Sequence, residues 1–186
     1  MQSQLIKNVE PNGSKNGVLI WITGLSGVGK TTFLQLVNAE LRSRNYKTVA
    51  LDGDSLREIL GVSDSCYSRQ ERLNLAYIYS RLCKNICDQG QIVIIATIAL
   101  FHEIQSFNRK TNKNYIEVFI DSPIKELINR DSKGVYSRIS TSSEITGIDF
   151  EAEFPQSPDI HVSGDIEEFK IKSRVLVNNI VNGTFS

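Results

Sequence analysis

A chain of 186 residues that is 40% hydrophobic and 23% charged can build one domain with a substantial core, but not two of ordinary size. Lys plus Arg and Asp plus Glu both number 21, so the formal net charge is zero and no global field draws nucleic acid; an anionic ligand needs a local positive site. No apolar run reaches the length of a membrane span, the polar stretch Met1 to Asn16 lacks the apolar centre of a signal peptide, and the 3 cysteines cannot all pair. The expectation is a reduced, cytoplasmic protein with neither nucleic acid nor a membrane as partner.

Residues 1–16 carry the turn-rich run Pro11-Asn12-Gly13-Ser14 and read as a flexible leader, with a single domain over 17–186. Val18 to Ile22 is a short apolar run suited to a buried strand. Gly24-Leu25-Ser26-Gly27-Val28-Gly29-Lys30-Thr31-Thr32 follows it and fits G-x-x-x-x-G-K-[ST]. Phe33, Leu34, Val37 and Leu41 then recur at helical spacing. Thr48 to Leu51 predicts a second strand running into Asp52-Gly53-Asp54, with a short helix over Ser55 to Leu60. Ser68-Arg69-Gln70-Glu71 is a capping box, and it predicts a long helix with Leu75, Ile78, Leu82 and Ile86 on its packed stripe and Gly90 at its end. Cys83 and Cys87 fall on that helix and are read as reduced, buried side chains.

Ile92 to Ile98 is β-branched and almost wholly apolar, as a strand covered on both faces requires. A helix within Leu100 to Lys110, a strand over Tyr115 to Ile120, and a helix from Pro123 to Asn129 come next. Residues 130–158 lose periodicity, which marks a functional lid or an insertion. Ile160 to Val162 predicts a last strand, and Asp165 to Glu168 cap a closing helix with Phe169, Leu176 and Ile180 inward. Strands alternating with helices imply a doubly wound, parallel α/β sheet with helices on both faces. Ligands bind at the carboxyl ends of such strands, so Gly24 to Thr31, Asp52 to Asp54, Thr97 to Phe101 and Asp121 should line one crevice.

The glycine-rich loop points at phosphate chemistry. Glycines let main-chain N–H groups approach phosphate oxygens, Lys30 reaches the terminal phosphates, and the Thr31 hydroxyl suits Mg²⁺. A transferring enzyme also needs a group to take the acceptor's proton. Asp54 is the candidate base, with a helix N-cap as its bland alternative, and Asp52 is a second candidate that acts through the metal. His102 is read as a pocket residue and His161 as an ordinary strand residue.

Several motifs together extend this reading. Gly24 to Thr32, Leu51-Asp52-Gly53-Asp54-Ser55-Leu56-Arg57, Ser68 to Arg72, Arg130-Asp131-Ser132-Lys133-Gly134-Val135-Tyr136 and Thr146-Gly147-Ile148 resemble, in order, the motifs of adenylylsulfate (APS) kinases. The resemblance implies a P-loop kinase fold with a lid over about 130–158, and transfer from ATP with Mg²⁺ to the 3′-hydroxyl of a small nucleotide. Asp54 is then the base and Lys30 its catalytic partner on the donor. Gly24, Ser26, Gly27, Gly29, Lys30, Thr31 and Thr32 would hold ATP, with Arg130 and Lys133 in the lid; Thr31 and Asp52 would hold the metal. Arg57 and Arg72 would grip the acceptor's 5′-phosphosulfate, Arg69 remaining a helix-surface arginine in a salt bridge. Family members are often homodimers.

Departures from the family pattern fall on the acceptor side. Leu75 stands where the family has Asn, Ala99-Leu100-Phe101-His102 where it has S-P-Y-R, and Ile145 where it has the Phe that sandwiches adenine against the aromatic matched by Tyr67. Ile98, Ala99, Phe101, His102, Tyr67 and Ile145 would therefore shape the acceptor pocket. Adenylylsulfate is the family's default acceptor. The alternative is cytidine diphosphoramidate, whose kinases in capsule pathways resemble this chain over Ala96 to Glu103 and Phe107 to Arg109. A nucleotide-binding protein without transfer is a weaker alternative.

Overall fold

The computed structural model describes residues 17–62, 68–123, 125–127 and 152–184. In chain order these form β1 (Val18–Thr23), α1 (Lys30–Ser43), β2 (Thr48–Asp52), α2 (Gly53–Ile59), α3 (Arg69–Asp88), β3 (Ile92–Ala96), α4 (His102–Thr111), β4 (Tyr115–Asp121), β5 (Ile160–Ser163) and a closing helix, α5 (Ile166–Asn182). The strands lie in the order β2-β3-β1-β4-β5, every neighbouring pair parallel. β1 sits at the centre because its residues are apolar on both faces, and all six are buried.

Alternation along β1 splits the core into two layers. Val18, Ile20 and Ile22 face α1 and α5, where they meet Phe33, Val37, Leu41, Phe169, Leu176 and Ile180. Leu19 and Trp21 face the other way, against Leu73, Ala76, Tyr79 and Cys83 of α3 and Ile104 of α4. Each such large side chain, fully withdrawn from water, contributes about 1.5–3 kcal/mol.

Three expectations need correcting. The packed stripe of α3 is Leu73, Ala76, Tyr79, Ser80, Cys83 and Cys87, whereas Ile78 and Leu82 are 45% and 39% exposed. Both stripes have helical spacing; the sheet accepted the one that sets Ala76, Ser80, Cys83 and Cys87 beside Leu73 and Tyr79. The second helix starts at Gly53 and is capped by Asp52, not Asp54: the Asp52 side chain accepts the Asp54 N–H. β3 stops at Ala96; just beyond it the Thr97 N–H still reaches the Ile22 carbonyl, and the Ile98 carbonyl accepts the Thr23 hydroxyl.

The capping box at Ser68 and Glu71 forms in both directions, and the left-handed Gly90, at φ 81°, follows α3 as expected. Cys83 and Cys87 are free and buried. Burial pushes the Cys87 thiol up to about 12, and it raises Cys83 further. Both therefore behave as packing residues rather than nucleophiles. Among the described residues no helix is long and apolar enough to cross a membrane.

Candidate phosphoryl-transfer site

The glycine-rich loop joins β1 to α1 at the carboxyl edge of the sheet. Gly24 takes φ 151°, and a Cβ there would strike the Ile120 carbonyl, so the end of β4 presses against the loop. Gly29, at φ 96°, caps α1 without a side-chain hydrogen bond, and a Cβ on it would sit 2.7 Å from the ring of buried Phe169. No acidic residue occupies the first turn of this 14-residue helix. Its leading amides and the positive end of its dipole are therefore offered to an anion. The Lys30 ammonium lies across the loop, donating to the Gly24 and Leu25 carbonyls at 3.0 and 2.6 Å. Ser26 and Thr31 are half-buried and Thr32 is exposed on the same rim.

Asp52 ties this loop to the next element. One carboxylate oxygen accepts the Thr31 hydroxyl at 2.7 Å, and the other accepts the Asp54 N–H at 2.9 Å. A hydroxyl and a carboxylate this close are hard oxygen donors suited to Mg²⁺, which keeps several waters and takes its remaining ligands from phosphates. The start of α2 is itself pinned: a Cβ on Gly53 would lie 3.1 Å from the Ala96 carbonyl, and the Tyr79 hydroxyl donates to the Gly53 carbonyl at 3.3 Å. Asp54 thus projects from a fixed backbone, with its side chain 52% exposed and ion-paired to Arg57 one turn on.

On the far side of the crevice, Ala99 and Leu100 are buried, Ile98 and Phe101 half-buried, and His102 opens α4 with its side chain exposed. Arg72 and Leu75 lie half-buried on α3. The strand ends therefore gather the loop, Asp52 to Asp54 and the Thr97 to Phe101 segment as expected. Asp121 closes the row on β4, where its carboxylate lies 3.8 Å from the His161 ring. Tyr67, Arg130, Lys133 and Ile145 lie outside the described residues.

The adenylylsulphate kinase family matches residues 16–163. The chain belongs to that family. Its fold is a P-loop kinase fold, and the protein is a phosphotransferase acting on a hydroxyl group. It is 41% identical over 144 residues to a cytidine diphosphoramidate kinase of Campylobacter jejuni, covering 76% of this chain and 84% of that one. It is 35% identical over 178 residues to an adenylyl-sulfate kinase of Clostridium acetobutylicum, covering 94% and 86%. Among solved structures, the Mycobacterium tuberculosis APS kinase CysC in complex with AMPPNP and APS superposes with a TM-score of 0.80 at 28% identity, over 89% of this chain and 98% of that one.

Two contributors to this family member's site were not legible in its sequence. Phe169, read only as a core residue of the closing helix, backs Gly29 and so fixes the end of the phosphate loop. Glu153, in the stretch read as lid, grips both Arg69 and the His102 N–H, the latter at 2.7 Å. Arg69 is therefore not in a local helix pair; its partner lies 84 residues along the chain. Burial alone would raise the Glu153 carboxyl, but the Arg69 hydrogen bond, the His102 amide and the Arg69 charge outweigh it and hold the carboxyl below its usual range. No spacing rule connects such distant residues.

Proposed function

We propose that the protein transfers the γ-phosphoryl group of ATP to the 3′-hydroxyl of a small nucleotide. The observation that carries this reading is the Lys30, Thr31, Asp52 and Asp54 constellation, in which phosphate-facing amides, a metal-suited oxygen pair and a solvent-facing carboxylate stand on adjoining strand ends. The loop amides and Lys30 bind the donor's phosphates; Thr31 and Asp52 would hold Mg²⁺, which would supply positive charge to offset that of the phosphate oxygens. Asp54 accepts the proton of the acceptor's 3′-hydroxyl as that oxygen bonds to the γ-phosphorus. The bond from the γ-phosphorus to the bridging oxygen breaks, and ADP leaves with its electron pair. Arg57, beside Asp54, and Arg72 bind the acceptor's 5′ oxyanions; planar forks suit them better than ammonium groups do. Arg130 and Lys133 belong to the lid on the ATP side.

For the acceptor, cytidine diphosphoramidate is favoured. Its support is the 41% identity to a kinase of that name, against 33% to 36% for seven adenylyl-sulfate kinases. The changes at Leu75, Ala99 to His102 and Ile145 spare the donor side and point the same way. Adenylylsulfate is the second reading, carried by family membership. The free Cys83 and Cys87 thiols suit work in a reducing cytoplasm, and the family likeness carries the expectation of a homodimer, which sedimentation checks.

ATP consumption measured with the two nucleotides side by side tests the proposal. Turnover of cytidine diphosphoramidate alone supports the favoured acceptor, and turnover of adenylylsulfate alone replaces it with the second reading. Turnover of neither overturns the proposed reaction.

A further inference from the structure

Glu153 joins three separate elements of the acceptor side. One carboxylate oxygen pairs with Arg69 in the first turn of α3, and the other accepts the main-chain N–H of His102 at the start of α4. The main chain of the same residue is engaged as well: its N–H donates to the Leu100 carbonyl at 3.1 Å, and its carbonyl accepts the Gln105 side-chain amide at 3.0 Å. A side chain tethered at both oxygens on a backbone tethered at both groups has one orientation open to it.

The tethering has consequences for its neighbours. The N-cap residue of α4, Phe101, supplies no side-chain hydrogen bond, so the Glu153 carboxylate serves as the cap, with negative charge at the positive end of the helix. Arg69, drawn toward Glu153, lies with its guanidinium 5.3 Å from the centre of the Phe101 ring. Phe101 and the Ile98 to Leu100 segment before it are thereby held from two sides. These residues form the acceptor wall of the crevice, whereas Lys30, Thr31 and Asp52 are held by contacts that involve neither Glu153 nor Arg69.

We propose that Glu153 is a positioning residue for the acceptor nucleotide, acting through Arg69 and the first turn of α4 to set the place of Phe101. This inference rests on the proposed function. It predicts a divided kinetic effect, because a residue that only stabilised the fold would disturb donor and acceptor alike. In Glu153→Gln the acceptor KM should rise about threefold, and in Glu153→Ala, which also loses the cap, about tenfold, with the ATP KM within about twofold of wild type. Arg69→Met removes the same ion pair without touching the His102 N–H, and should match Glu153→Gln. The double variant Glu153→Gln/Arg69→Met should be no worse than either single one, since both delete one interaction.

The experiment is steady-state kinetics of wild type and these variants with ATP and with whichever of the two nucleotides the wild type turns over. Hydrogen exchange of the 98–105 peptide runs in parallel and should speed up in Glu153→Ala. An acceptor KM unchanged in Glu153→Ala overturns the inference while leaving the proposed reaction intact, and so does an equal rise in both KM values. A wild type that turns over neither nucleotide overturns the reaction and with it the acceptor role. Unchanged exchange in that same peptide overturns the tethering itself.

Discussion

The proposed donor and acceptor halves of this crevice differ in how far their described contacts reach along the chain. Among the described residues the donor half is mostly local: the loop, Lys30 and Thr31 are consecutive, and Asp52, Ile120 and Phe169 reach it from elsewhere. The acceptor half draws on α3, the segment after β3, the first turn of α4 and the stretch around Glu153, with contacts spanning 84 and 51 residues. A local site tolerates sequence change only at the cost of its chemistry, because each residue has a fixed task in a fixed geometry. A site assembled from distant segments can be retuned piece by piece, and the departures from the family pattern at Leu75 and at Ala99 to His102 lie in that half.

The sharpest way to break this comparison is at the donor loop. Lys30→Ala should lower transfer by about 10³-fold or more at saturating acceptor, since a charge aimed at the transferring phosphoryl group is lost; a coupled ADP assay reads it. Asp54→Ala should lose about 10²- to 10⁴-fold in kcat while ATP binding by calorimetry stays within about twofold, and a fully active Asp54→Ala protein would remove the base from the scheme. Gly29→Ala should cost about 1–3 kcal/mol in chemical denaturation and weaken ATP binding as well, because φ 96° and the Phe169 ring leave no room for a methyl group.

The ion pair of buried Glu117 with Arg109 provides a control that separates fold from function. Glu117 on β4 is 3% exposed, accepts from Tyr115 and Arg109, and is offset by the Arg109 to Asp159 pair at the start of β5. Burial raises its carboxyl above the usual range despite these donors. Arg109→Ala should therefore lower stability by about 2 kcal/mol in urea unfolding, with KM values for both substrates unchanged. The smallest effect concerns acid. Glu153 is held below its ordinary value of 4.5, so its contribution is complete above that pH and fades as pH falls through the lower folded value. Glu153→Gln should thus flatten the acid limb of the stability profile slightly, as thermal melts between neutral and acid pH would show.

Every strand was legible to within a residue or two, because runs such as Val18 to Ile22 and Ile92 to Ala96 must be apolar on both faces to sit inside a doubly covered sheet. The glycine-rich turn between β1 and α1 was legible for a related reason: the φ values of 151° at Gly24 and 96° at Gly29 demand glycine there. Helix faces were harder. α3 offered two apolar stripes, and only the sheet beneath it chose Leu73, Ala76 and Cys83 over Ile78 and Leu82. The start of α2 also misled: the helix begins at Gly53, because Asp52, which accepts both the Thr31 hydroxyl and the Asp54 N–H, caps it earlier than Ser55.

The sequence by itself determined the class of sheet, the glycine-rich turn between β1 and α1 and the carboxylates at the strand ends, since each is enforced by rules acting over a few residues. Tertiary structure decided that Phe169 backs Gly29, that Asp52 serves loop and helix together, and that Glu153 holds Arg69 and His102 in one grip. Those contacts exist because the sheet brings strand ends and helix starts to a common edge, and no local pattern records which distant residue will arrive there.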